Sequence, residues 1–330
     1  MIAKHRRLSV PVAITAALTL AVAGCGADTD TAADEATAGS TTEVEDNHGT
    51  KSVPAQPTSV VATDNRTFET LDSWGVELSA GAVSLMPDTV SYTDNEDIVD
   101  LGSHREPDLE SVVAAEPDLI INGQRFAQYY QDFEELAPDA TIVEADPRDG
   151  EPFADELKRQ TEILGQALGH EEDAQALIDD FDAAIERVQA AYDPEDTVMS
   201  VLTSGGEISY VAPTTGRTLG PLYDIFDLTP ALEVEGEDES HGDDIHVEAI
   251  AEANPDWILV MDRDAAISAN SGEDYTPANE LLANSQALQN TSAVEQDQIV
   301  YMPQDTYLNE GIQTYTEYFN SLADSMESSN

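Results

Sequence analysis

Two arginines stand at matched places in an internal repeat, and their spacing is the first sign of chemistry in this chain. Residues 109–121 read LESVVAAEPDLII and residues 247–259 read VEAIAEANPDWIL, a gapless match at an offset of 138. Seven residues beyond the Asp of each Pro-Asp pair stands an arginine, Arg125 in one copy and Arg263 in the other. Each copy reads as a short helix, a turn and a buried strand, so each arginine falls just past a strand's carboxyl end. Open α/β sheets hold ligands there. A guanidinium is always charged and presents forked donors to paired anionic oxygens. A second chemistry is offered by His241 and His246, which sit in a loop with Glu237, Asp238, Glu239, Asp243 and Asp244. That loop could hold a divalent cation, although by composition His241 also reads as a plain loop residue.

The charge balance sharpens the arginine signal. The full chain has 13 Lys and Arg against 67 Asp and Glu, a net charge of −54. Such a surface excludes nucleic acid and anionic membrane surfaces, which need basic patches. It also makes the position of every cation informative. A lone arginine after a strand is ordinarily a solvated loop charge, but two at equivalent points in so acidic a chain point to a ligand role. No G-x-S-x-G, H-E-x-x-H, P-loop or dinucleotide fingerprint is present. The reading is therefore a binding protein without catalysis and without an intrinsic cofactor.

The elements that must position these residues are legible around them. Apolar runs at residues 118–122, 141–144, 197–202, 257–261 and 298–301 read as buried strands, and residues 58–62 as the first strand. Continuous apolar runs between helices predict parallel sheets covered on both faces, an α/β architecture. Residues 152–192 break the alternation with helical spacing throughout. Gly169 and His170 mark a break, and Glu171–Ala191 then forms one helix about 31 Å long.

At the amino end, Lys4, Arg6 and Arg7 precede an apolar run that closes on LAVAGC, ending at Cys25, the only cysteine. This resembles a bacterial lipoprotein signal, in which that cysteine becomes the lipidated first residue. The run is too short for a membrane span. Residues 26–50 carry almost no large apolar side chain and read as a flexible tether. The expected organisation is a signal over residues 1–24, lipidated Cys25 and tether over 25–52, an amino-terminal lobe over 53–168, a connecting helix over 169–194 and a carboxyl-terminal lobe over 195–330.

Taken together, six segments resemble the siderophore-binding lipoproteins of ABC importers, nearest the catecholate binders of the enterobactin and petrobactin type. They are GSHREPD (102–108), the PDLII strand through Arg125, TGR (215–217), SHG (240–242), DRDAA (262–266) and YLNEG (307–311). The resemblance covers residues 48–319 or so. It implies two Rossmann-like lobes joined by a single long backbone helix, with Arg125, Arg217 and Arg263 facing the cleft. It implies that His241 and Tyr307 can ligate the ferric iron of a bound siderophore. Glu110 and Glu248, one per lobe, would grip the permease, which works with its ATPase. The protein would be a monomer on the outer face of the cytoplasmic membrane, held by lipid on Cys25. Other iron chelates, haem, a cobalamin-like ligand or a divalent metal are the alternative cargoes. Thr218, Leu219, Asn309 and Glu310 depart from the family pattern, and an acid at Glu310 is unexpected beside an anionic ligand.

Overall fold

The protein is described from a computed structural model covering residues 40–234, 242, 247–272 and 274–329. Cys25, His241 and His246 lie outside the described residues. The chain enters through an antiparallel hairpin, β1 (Thr41–Asp46) and β2 (Gly49–Pro54). The amino-terminal lobe follows as β3 (Val60–Ala62), α1 (Phe68–Ser73), β4 (Leu78–Gly81), β5 (Val99–Asp100), α2 (Leu109–Ala114), β6 (Leu119–Asn122), α3 (Tyr130–Leu136) and β7 (Thr141–Glu144). Its five strands are all parallel, in the order β5-β4-β3-β6-β7.

Helices α4 (Phe153–Leu168) and α5 (Glu171–Ala191) lead to the second lobe. There β8 (Thr197–Ser204), β9 (Glu207–Val211), α6 (Leu222–Phe226), β10 (Thr229–Pro230) and α7 (Val247–Ala253) precede β11 (Trp257–Asp262). Then come α8 (Arg263–Ser271), α9 (Ala278–Asn284), α10 (Ser292–Glu295), β12 (Ile299–Tyr301) and α11 (Ile312–Ser329). This sheet runs β10-β8-β11-β12 in parallel, with β9 antiparallel against β8. The central strands β6 and β11 are buried on both faces, as their unbroken apolar runs require.

The repeat is physical as well as textual. Asp118 accepts from Thr58 N at 2.7 Å and Thr58 Oγ1 at 2.8 Å. Asp256, its counterpart, accepts from Thr197 N and Oγ1, both at 2.8 Å. Each Pro-Asp turn thus ties its strand to the first strand of its own sheet. The preceding turns match too, with Glu116 at φ 45° and Asn254 at φ 47°.

Two boundaries differ from the expectation. The tether does not extend to residue 52, because residues 41–54 are the β1–β2 hairpin. Few apolar residues sufficed: Val44 and Val53 are buried, and Asp46 accepts from Glu144 N at 2.9 Å at the edge of the amino-terminal sheet. His48 stacks on Tyr130 and meets Glu144 at 3.0 Å. The bridge between lobes also differs. Helix α5 spans the expected residues, but it buries Ile178, Phe181, Ala184 and Val188 in the carboxyl-terminal core. Helix α4 is the element that serves both cores, with Leu157 in one and Ile163, Leu164 and Ala167 in the other. Gly169, left-handed at φ 74°, ends α4 and permits α5 to start in a new direction.

The hairpin generates a direct expectation. Val44→Ala with Val53→Ala should destabilise the protein by about 1–3 kcal/mol in chemical denaturation. A loose tether would leave the denaturation midpoint where it was.

Candidate ligand-binding site

All three arginines gather over one ring. The guanidinium carbons of Arg125, Arg217 and Arg263 lie 5.3, 4.1 and 4.9 Å from the centroid of Tyr307. These distances are within cation–π range. Arg125 comes from a 3₁₀ turn after β6, and Arg263 is the first residue of α8 after β11. Arg217 comes from the loop after β9, and Tyr307 from the loop after β12. Both lobes therefore contribute to a single cluster at the strand ends.

Close backbone approach builds the Arg217 loop. Gly220 N donates to Gly216 O at 2.9 Å, and a Cβ on Gly220 would stand 2.2 Å from that same oxygen. Thr214 and Thr218 take left-handed backbones at φ 67° and 66° to turn the chain tightly around Arg217. The Arg125 turn is held from the other side: Gln124 N donates to Asp146 Oδ2 at 2.5 Å. A Cβ on Gly123 would meet Asp64 Oδ2 at 2.6 Å.

The three arginines are not equivalent. Arg217 is bound edge-on by Glu310, Nε to Oε1 at 3.0 Å and Nη2 to Oε2 at 2.6 Å. Its Nη2 also donates to Tyr307 O at 3.2 Å. Thr218 Oγ1 donates to the same carboxylate. Glu310 is 3 % exposed. Burial alone would raise its pKa, yet Arg217, then Arg66, hold it down at about 2. Burial likewise opposes the charge on Arg217, but Glu310 raises its pKa well above the ordinary value. Arg125 has the opposite setting: burial and then the Arg217 charge lower its pKa. Its Nε and Nη2, the same edge that Arg217 spends on Glu310, are buried without a partner among the described residues. Arg263 Nε is in the same condition, while its Nη1 donates to Ser204 Oγ at 3.2 Å.

Tyr307 is 4 % exposed. Burial works against its ionisation, but Arg217, Arg263 and Arg125 outweigh it and lower its pKa. Nearby His104 has its pKa lowered by burial and by Arg125 and Arg105, so its imidazole is biased to the neutral form.

Residues unannounced by the sequence close the floor of the site. Arg66 meets Asp146 at 3.4 Å. Glu310, Asp146 and Asp64 raise its pKa against the effect of burial. Burial and the Asp146 charge push Asp64 well above the carboxylate range, and Gln160 Nε2 donates to it at 2.9 Å. Cross-lobe contacts stitch this floor: Asn65 Nδ2 to Leu308 O at 2.9 Å, Asn309 Nδ2 to Glu69 Oε2 at 2.8 Å and Thr70 Oγ1 to Gln313 Oε1 at 2.7 Å. Gly311 permits the approach, since a Cβ there would meet Arg66 O at 2.5 Å. Glu110 and Glu248 lie apart from the cluster, exposed on the first turns of α2 and α7. Among the described residues no group of His, Cys, Asp and Glu could hold a metal ion, and no helix is long and apolar enough to cross a membrane.

A two-lobed α/β fold with an arginine cluster at the strand ends is an architecture that solute-binding proteins use. The periplasmic binding protein family model matches residues 60–306, and the chain belongs to that family. It is 27% identical over 287 residues to the petrobactin-binding protein YclQ of Bacillus subtilis, covering 86% of each chain. It is 27% identical over 255 residues to the ferric-anguibactin-binding protein FatB of Vibrio anguillarum, covering 76% of this chain and 78% of FatB. In fold it matches the crystal structure of YclQ with a TM-score of 0.74 at 23% identity, over 87% of this chain and 99% of that one. The catecholate-siderophore binding protein VctP of Vibrio cholerae gives 0.73 at 24% identity, with the same coverage.

The buried Arg217–Glu310 pair sets a pH-dependent expectation. Arg217→Ala should cost about 3–5 kcal/mol near neutral pH, and adding Glu310→Gln should recover most of it. Glu310 ionises at about 2 in the fold against an ordinary 4.5. The pair's contribution is therefore whole above pH 4.5 and lost as pH falls toward 2. Denaturation of wild type and Arg217→Ala should converge over that window.

Proposed function

We propose that this protein captures a ferric siderophore of the catecholate class in the cleft between its lobes and delivers it to an ABC permease, without catalysing a reaction. The observation that carries the reading is the cluster of three guanidinium groups over Tyr307, with the Arg125 edge buried and unpartnered. Catecholate oxygens on Fe³⁺ leave net negative charge on the complex. A forked cation in a low-dielectric cleft is suited to such paired oxygens. Likeness to YclQ, a petrobactin-binding protein, and to FatB, a ferric-anguibactin-binding protein, supports a siderophore as cargo. Ferric iron is hard, and a phenolate is a fitting donor. Tyr307, its ionisation favoured by three cations, is the side chain to complete the coordination of a tetradentate complex, together with His241.

Delivery rests on Glu110 and Glu248, which the repeat places at matching points of α2 and α7. Lipid on Cys25 would hold the protein at the outer face of the membrane, as a monomer.

Two measurements test this reading. Arg125→Ala should weaken a ferric catecholate roughly ten- to a hundredfold by fluorescence titration, with Arg125→Lys recovering only part, since Lys lacks the fork. Unchanged titration curves would remove Arg125 from the site. Reversing Glu110 and Glu248 together to Lys should stop iron uptake by cells while leaving ligand affinity as it was. Uptake that persists would place the permease contacts elsewhere.

A further inference from the structure

The carboxylate at residue 310 is at odds with a site built to attract an anion. It is not solvated there: it lies 3 % exposed and takes both oxygens' worth of donors from Arg217 and Thr218. A buried carboxylate in the wall of an anion site costs affinity for every negative charge the ligand brings. It also uses up the side-on edge of Arg217, the edge best matched to paired oxygens. Arg66 also faces Glu310, but Asp146 meets it at 3.4 Å from the amino-terminal lobe and takes up its charge.

We propose that Glu310 is the specificity-determining residue of this site and that it selects cargo by charge. Arg217 is paired with Glu310, and Arg263 Nη1 lies 3.7 Å from Asp264 Oδ1, so among the described residues Arg125 is the one arginine of the three without a carboxylate at ion-pair distance. Arg217 acts as a positioning residue that holds the Tyr307 loop, through its backbone carbonyl and its ring. The fitting cargo is a ferric complex of low negative charge. Fe³⁺ with two catecholates carries one net negative charge, whereas Fe³⁺ with three carries three. The site therefore favours the tetradentate bis-catecholate over the hexadentate tris-catecholate. This rests on the cargo class proposed above.

The test titrates the full-length protein and two variants with two probes, a ferric bis-(2,3-dihydroxybenzoyl) diamide and a ferric tris-(2,3-dihydroxybenzoyl) triamide. Wild type should favour the monoanion. Glu310→Gln should improve binding of the trianion at least ~tenfold more than that of the monoanion, and that gain should shrink as salt is added. Glu310→Asp keeps the charge and should keep the wild-type ratio, even where altered packing lowers both affinities. A fold defect moves both probes together and leaves the ratio unchanged, which would overturn the proposal. The same holds if Glu310→Asp shifts the ratio as far as Glu310→Gln. Failure of wild type to bind either probe would instead overturn the cargo class, and the charge filter with it.

Discussion

Three guanidinium groups around one tyrosine ring form an arrangement that must be held together against its own repulsion. The constraint is severe because the cluster is largely buried, where like charges are poorly screened. Two features make it tenable. The Tyr307 ring accepts each cation on its electron-rich surface, and Glu310 removes the charge of the arginine nearest that ring. The tight turns at Gly216 and Gly220, the left-handed residues Thr214 and Thr218, and Asp146 beneath the Arg125 turn all serve to bring these side chains to one place.

Internal symmetry supplies the frame and the loops supply the asymmetry. The two copies of the repeat deliver Arg125 and Arg263 through the same helix, turn and strand, down to the aspartate that pins each turn to the neighbouring strand. What distinguishes the lobes is added outside the repeat. The carboxyl-terminal lobe contributes Arg217, Tyr307 and Glu310, and its segment after β12 also docks on the amino-terminal lobe through Asn65, Glu69 and Thr70. The ligand site and the lobe junction thus share one stretch of chain. Helix α4, with apolar residues in both cores, braces the junction from its other side.

Much of this was legible in the sequence because it depends on local pattern. The apolar runs of β6, β7, β8, β11 and β12 declare buried parallel strands, and the repeat shows two similar lobes. The short edge strands β5 and β10 left no such mark, since two residues cannot show periodicity. Residues 41–54 misled for a different reason. Their composition is that of a tether, and their order comes from contacts with distant partners, Glu144 and Tyr130, that no local pattern reports. The same holds for α4: its spacing shows a helix, but only the fold shows that its two ends enter different cores. Arg217 and Tyr307 were reachable through family resemblance and not through spacing. Glu310 was visible as an oddity, and its meaning required the geometry of the Arg217 edge.

The most direct measurement is a crystal structure of the protein with a ferric bis-catecholate bound. Catecholate oxygens should lie within hydrogen-bonding distance of Arg125 Nε and Nη2 and of Arg263 Nε, with the Arg217–Glu310 pair intact beneath Tyr307. A complex bound elsewhere, with those nitrogens still unpartnered, would contradict the assignment of the cleft.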